Sequence, residues 1–207
     1  MKPAYATVPR LWAGETVVCV ASGPSLTQAD VDLCRDRAKV IVVNDGYRMA
    51  PWAEALYACD FQWWRVHQGV PSFAGLKFSI HPKAARFGVQ VLRNTGPDGL
   101  ETDPSGLRTG SNSGYQAINL AVHLGAARIL LLGYDMQRTG GKSHWFGDHP
   151  YGLQSRPALS LFVRHFATLV PPLRALGIPV INCTRETALT CFPRHPLEDA
   201  LAVAVAA

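Results

Sequence analysis

Two short segments carry residue types suited to group-transfer chemistry. The first is Ser22-Gly23-Pro24-Ser25, which ends an apolar β-branched run and leads into a helical pattern. A turn of small residues at a strand-to-helix junction gathers backbone N–H groups near the positive end of a helix dipole, an arrangement that favours a phosphate. Any α/β protein also needs small residues at such a junction, so the turn supports a plain structural reading too. The second is Ser143-His144-Trp145-Phe146-Gly147-Asp148-His149, which holds two His, one Asp and two aromatics in seven residues. Imidazole titrates near neutrality and is a natural general base toward a hydroxyl. His144, Asp148 and His149 could also ligate a metal, but Cys is absent and the spacing matches no common zinc pattern. An incidental His-bearing surface loop is the alternative.

Further candidates share one property: each follows an apolar, strand-like run. Asn44 and Asp45 could hold a base edge or ribose hydroxyls, although Asn-Asp-Gly is also strong turn chemistry. Thr109-Gly110-Ser111-Asn112-Ser113-Gly114 precedes a helix and has more small polar residues than a cap requires, so Ser111, Asn112, Ser113 and Gly114 are candidates to hold an anion. Asp135 closes the buried run RILLL and its Gly-Tyr extension, where it could bind sugar hydroxyls, a metal or a basic loop residue, or cap its own loop. Asp60 with Trp63 and Trp64 could form a base-stacking wall, or the Trp pair could be core. Thr184 and Arg185 follow the last strand, and Arg185 could reach a phosphate. No GxSxG elbow is present.

The elements that must position these residues alternate between strand and helix. Strands are predicted over 17–21, 39–43, 56–59, 76–80, 89–92, 128–132 and 179–182. Helices are predicted over 26–37, from Phe61 onward after Asp60, over 112–124 with Gly125 as its stop, over 158–176 with a break or kink at Pro171-Pro172, and over 197–206. Continuously apolar strands separated by helices imply a mostly parallel, Rossmann-like sheet with helices on both faces. Ligands of such sheets sit outside the carboxyl ends of the strands. Two long loops, 93–112 and 133–157, fall on that edge and are the expected active-site loops.

One domain of 207 residues is expected, 48% hydrophobic and 17% charged. No apolar run approaches the ~20 residues of a membrane span, and the N-terminus does not read as a signal peptide. Five scattered cysteines without CxxC spacing fit a reducing cytoplasm. The formal charge of +5 suits an anionic small molecule; the basic residues form no run, which argues against nucleic acid.

Read in order, ASGPSL, VVNDGY, TGSNSGYQAINLAVHLGAARILLLGYDM, SHWFGDHP and VINCT resemble the bacterial sialyltransferases of glycosyltransferase family 42 and their uncharacterised phage and prophage relatives. The GPSL and strand-end Asp elements are also similar to archaeal-type, MptE-like hydroxymethylpterin diphosphokinases. The resemblance covers about Val17 to Pro193. It implies that Gly23, Pro24, Ser25 and Asn44 hold a cytidine monophosphate donor, that Ser113-Gly114 or Ser111 also contacts it, that His144 is the general base and that no metal is needed. The family's pair of tyrosines upstream of the Ser-Gly element has no counterpart, since no Tyr lies between Tyr57 and Tyr115.

Three functions follow as expectations. The first is a metal-independent glycosyltransferase with a nucleotide-sugar donor of CMP type and an unknown hydroxyl acceptor. Its catalytic residues are His144, Asp135 and Asp148, and its nucleotide-binding residues are Ser22 to Ser25, Asn44, Asp45, Asp60, Ser111 to Gly114 and Thr184. The second is a phosphotransferase needing Mg2+ on carboxylates such as Asp60 and Asp135. The third is a non-catalytic nucleotide-binding phage accessory protein, in the host cytoplasm if phage-encoded. A homo-oligomer is compatible with each.

Overall fold

The computed structural model describes residues 5–147 and 159–203. Runs buried along their whole length build the centre of the sheet: β1 (Thr16–Val20), β2 (Lys39–Val43, with only Lys39 partly exposed) and, later in the chain, β8 (Arg128–Leu132). Strands covered on both faces have no polar side to show solvent, so they read as continuous apolar runs. Between β2 and β8 come β3 (Ala55–Tyr57), β4 (Leu76–Ser79), β5 (Gln90–Val91), β6 (Arg93–Asn94) and β7 (Gly106–Leu107), and β9 (Val180–Asn182) is last. Seven strands form one sheet in the order β5-β4-β3-β2-β1-β8-β9, every pair parallel, and β6 and β7 form a separate two-stranded ladder.

The helices are α1 (Gln28–Asp32), α2 (Phe61–Val66), α3 (Ser113–Leu124), α4 (Leu159–Ala167), α5 (Val170–Ala175) and α6 (Leu197–Ala202). Alternate strand residues enter two separate cores. Val17, Cys19, Ile41 and Leu131 pack with Ile118 and Leu120 of α3, Phe166 of α4 and Leu173 of α5. Val18, Val20, Val42 and Leu130 pack with Val31 of α1, Trp63 and Trp64 of α2 and Leu197 of α6. This is the α/β sheet covered on both faces that the alternating pattern predicts.

Several elements differ from the sequence expectation, each for a local reason. The helix expected over 26–37 is only α1. Thr27 and Asp30 form a capping box that starts it at Gln28, and the chain then leaves it through turns that reach a positive φ of 60° at Asp36. The helix expected over 158–176 divides at Thr168-Leu169 rather than at the prolines. Pro171 lies in the first turn of α5, where a missing N–H costs no hydrogen bond. Segment 93–112 is no open loop. Asn119, fully buried on α3, accepts from the amides of Glu101 (2.9 Å) and Arg108 (3.2 Å) and donates to the Glu101 carbonyl (3.0 Å). Residues 148–157 of the second expected loop, 158 of the helix expected after it, and 204–206 of the last expected helix lie outside the described residues.

Candidate functional site

After β1 the chain steps through β2 to β5 on one side of the sheet, then crosses to β8 and β9 on the other. The carboxyl ends of β1 and β8 therefore flank the switch point, where a crevice forms. The crevice is occupied by a basin lined by Ala21 to Pro24, Val43, Asn44, Asn112 to Gly114, Gly133, Asp135 to Arg138, Ser143, His144, Leu159 and Phe162.

Its corner is fixed mainly by backbone. Ala21 donates to the Leu132 carbonyl (2.8 Å), Gly23 to Gly133 (2.8 Å) and Leu26 back to Gly23 (3.2 Å). A Cβ on Gly23 would overlap Asp135 Oδ1, and one on Gly133, whose φ is 69°, would lie 2.9 Å from the Ala21 carbonyl oxygen. Both glycines are thus required by close approach, the second also by conformation. Asp135 is 1% exposed. Its Oδ2 accepts from the Ser25 amide at 2.9 Å and from the Thr139 hydroxyl at 3.2 Å, while its buried Oδ1 has no hydrogen-bond partner among the described residues. Burial raises its carboxyl above the ordinary aspartate value, a shift only partly opposed by the Ser25 hydrogen bonds and Thr139.

This geometry corrects the expected use of the Ser25 amide. That N–H is taken by Asp135, and α1 begins only after Thr27, with its first turn closed by the capping box. The helix N-terminus that does face the basin is that of α3. The Asn112 side chain accepts from the amides of Gly114 (2.8 Å) and Tyr115 (3.2 Å), a cap that leaves the Ser113 amide without a hydrogen-bond partner among the described residues. The Ser113 hydroxyl lies 3.1 Å from Cys59 Sγ and accepts from the Cys59 amide at 3.4 Å, tying α3 to the end of β3. A Cβ on Gly114 would lie 2.9 Å from the Tyr134 ring.

The His144 segment reaches the same basin. The Trp145 amide donates to the Ser22 carbonyl at 3.1 Å, and the His144 ring stacks on Phe146 with centroids 5.1 Å apart and planes 7° from parallel. Thr139 and Lys142 close a small hairpin between Asp135 and this segment.

Of the residues singled out from sequence, Ser22, Gly23, Pro24, Asn44, Asn112, Ser113, Gly114, Asp135 and His144 line the basin. Ser25 braces the corner from behind. Asp45 points instead into the α2 face, where it accepts from Trp63 Nε1 (3.2 Å) and lies near Arg48 (3.8 Å) and His67 (3.6 Å). Trp63 and Trp64 are buried core, 3% and 0% exposed, and build no stacking wall. Asp60 is an exposed N-cap of α2, away from the basin, so it does not join Asp135 in a cation site there. Ser111 is exposed with φ 53°, outside the basin. The Thr184 hydroxyl accepts from the Tyr134 amide at 2.9 Å and braces β8, and Arg185 is held by a two-pronged pair with Asp30 at 2.8 Å. Asp148 and His149 lie outside the described residues.

Sequence reasoning missed Arg138, Leu159 and Phe162. Arg138 is exposed at the basin wall and donates to the Gly141 carbonyl at 3.2 Å. Its position three residues after the strand-end Asp was the available signal. All five cysteines are free thiols, and burial pushes Cys19, Cys34, Cys59 and Cys183 up to about 12 and Cys191 to about 11, which keeps them unreactive. Among the described residues no His, Cys, Asp and Glu side chains cluster as three or more metal ligands, and no helix is long and apolar enough to cross a membrane.

No protein-family model matches the chain, and neither does any curated protein. Among solved structures the chain is similar to the MAf glycosyltransferase from Magnetospirillum magneticum AMB-1, with a TM-score of 0.67 at 14% sequence identity. The match covers 94% of this chain and 36% of that one, so the chain spans about a third of its neighbour's length. At this identity the likeness is one of fold: the chain has the architecture of a Rossmann-like region found within a larger protein.

Proposed function

We propose that the protein is a glycosyltransferase that uses a nucleotide-activated sugar, with a CMP-type donor as first choice. The carrying observation is the bond from the Trp145 amide to the Ser22 carbonyl, which holds the His144 segment against the Gly-Pro corner in the basin that also receives the α3 N-terminus. The fold shared with a glycosyltransferase supports the same reading.

In this mechanism the donor phosphate lies at the α3 N-terminus, where the Ser113 amide and the helix dipole stabilise its charge as it leaves. Arg138 supplies a further cation from the wall. His144 accepts the proton of the acceptor hydroxyl, the hydroxyl oxygen bonds to the anomeric carbon, and the bond from that carbon to the phosphate oxygen breaks. The nucleotide departs with the electron pair. Asp135 acts as a positioning residue: through the Ser25 amide and the crowded Gly23 it sets the corner on which the donor rests. Asp148 is retained as a candidate for the carboxylate that orients His144. A cytoplasmic location fits the free thiols.

Thermal-shift measurements with nucleotides and nucleotide sugars, with and without Mg2+, test the reading, because a ligand bound only to the native state raises its stability. CMP or a CMP-sugar should raise the midpoint without Mg2+. A response confined to ATP with Mg2+ would select phosphoryl transfer, and tight nucleotide binding without product would select a sequestering module. His144→Ala should abolish turnover while nucleotide affinity stays nearly unchanged; undiminished turnover in that variant would refute the assigned base.

A further inference from the structure

The basin is not the whole of the sheet's carboxyl edge. Phe61 opens α2 just beyond β3, and His81 follows β4 at the start of a short 3-10 turn, Pro82–Phe87. The Phe61 ring stacks with His81 at 5.3 Å and with Phe87 at 6.4 Å, both at 27°. Lys83 Nζ lies 5.8 Å and the Arg86 guanidinium carbon 5.1 Å from the same ring centre. Both cations are exposed, and among the described residues neither has a carboxylate within ion-pair distance. His81 Nδ1 accepts from the Lys83 amide at 3.2 Å, so the neutral ring carries its proton on Nε2 as a donor.

This group is joined to the basin. Ser113, on the basin wall, is bonded to Cys59, and Phe61 follows Cys59 by two residues. Adjacent strands lie ~4.8 Å apart, which puts β3 about 10 Å and β4 about 14 Å from β1 along the same edge. A disaccharide bridges that separation.

We propose that Phe61, His81, Lys83, Arg86 and Phe87 form an acceptor subsite that recognises an anionic sugar unit remote from the hydroxyl being glycosylated. The word acceptor rests on the transferase reading above; the binding chemistry does not. Stacked rings offer an apolar platform for the C–H face of a pyranose. The Arg86 fork and Lys83 match a carboxylate or phosphate on that ring, and cation–π contacts hold both heads in place beforehand. Binding at a remote unit is a means of orienting the reacting hydroxyl.

The test uses the full chain, 15N-labelled, titrated with cellobiouronic acid, with its neutral counterpart cellobiose and with N-acetyl-diglutamate as an anion lacking a sugar ring. CMP binding is followed in the same samples. Cellobiouronic acid should move the amide signals of residues 61 and 81–87 and bind about fivefold or more tighter than either control. The Lys83→Glu/Arg86→Glu double variant, changed only at exposed positions, should weaken it about tenfold while CMP affinity shifts less than about twofold. Equal binding of acid and neutral sugar, equal binding of the dipeptide, or an unchanged response in the double variant overturns the subsite. Absence of CMP binding by the unaltered chain beside an intact disaccharide response would retain the subsite and overturn the CMP-donor reading instead.

Discussion

The Trp145 amide and the Ser22 carbonyl, 123 positions apart in sequence, meet at 3.1 Å, so the loop that carries His144 is tied by main chain to the turn that ends β1. Replacing Trp145 by Pro removes that N–H together with the indole, which packs on the core cluster of Val20 and Leu26 and against Phe146 but does not line the basin. Turnover should fall by about 100-fold, because a loosely held base loses its alignment. Nucleotide affinity should change less than about fivefold, since Trp145 itself lies outside the basin lining. Comparable losses in both would place the loop in donor binding.

Gly23→Ala is expected to damage the corner. Its new methyl would overlap Asp135 Oδ1, and Asp135 is held in turn by Ser25 and Thr139. Relief requires moving a buried carboxylate, at a cost of about 1–3 kcal/mol. Urea unfolding measures that loss, and calorimetry with CMP should show binding weakened at least about tenfold. Unchanged values for both would mean the corner yields without consequence.

Asp135 and Asp30 should give opposite pH dependences. Burial, the largest influence on Asp135, raises its carboxyl, so the native state holds a proton that the unfolded chain has lost; its stabilisation is present below the ordinary aspartate value and declines as pH rises to the raised one. At Asp30 burial also pushes upward, but the hydrogen bonds and charge of Arg185 together with Thr27 outweigh it and hold the group below its ordinary value. Its contribution is therefore present above the ordinary value and lost as pH falls through the lowered one. Asp135→Asn should flatten the decline on raising pH, and Asp30→Asn should remove part of the loss in acid. Urea midpoints between pH 3 and 8 decide both, and unaltered pH profiles would contradict the assignments.

Asn119→Ala should loosen the segment between β6 and β7. The substitution strands the Glu101 and Arg108 amides and the Glu101 carbonyl, which the side chain now serves. A loss of about 2–3 kcal/mol is expected, with faster hydrogen exchange at residues 101 and 108. Exchange unchanged there would show that the ladder holds the segment without α3.

Arg138→Ala should weaken nucleotide binding about tenfold at low salt and by less at high salt, as fits an exposed cation facing a phosphate. Equal losses at both salt levels would point to packing instead.

The sheet was legible because its central strands are buried on both faces, and KVIVV and RILLL can hardly be anything else in a chain that alternates strands with helices. The edge bearing the site was legible for the same reason. Side-chain direction beyond a strand end was not. Asn44 has φ 50° and Gly133 φ 69°, so the chain turns sharply just where the strand's two-residue alternation stops. Asp45 consequently enters the α2 face while Asp135 enters the basin, although each follows a strand by one to three residues. Arg138 resembled any solvated loop cation. Phe162 resembled a core residue of an amphipathic helix, and only the fold shows it on a cavity wall. The prolines at 171 and 172 read as a break because they disrupt helices everywhere except the first turn, which is where Pro171 sits.

The atoms that shape the corner belong chiefly to the main chain: Ala21 to Leu132, Gly23 to Gly133, Trp145 to Ser22. A scaffold of this kind tolerates wide exchange of amino acids provided a few glycines stay put. Shape can then outlast spelling, and further kin of this polypeptide are better sought by superposing backbones than by aligning letters.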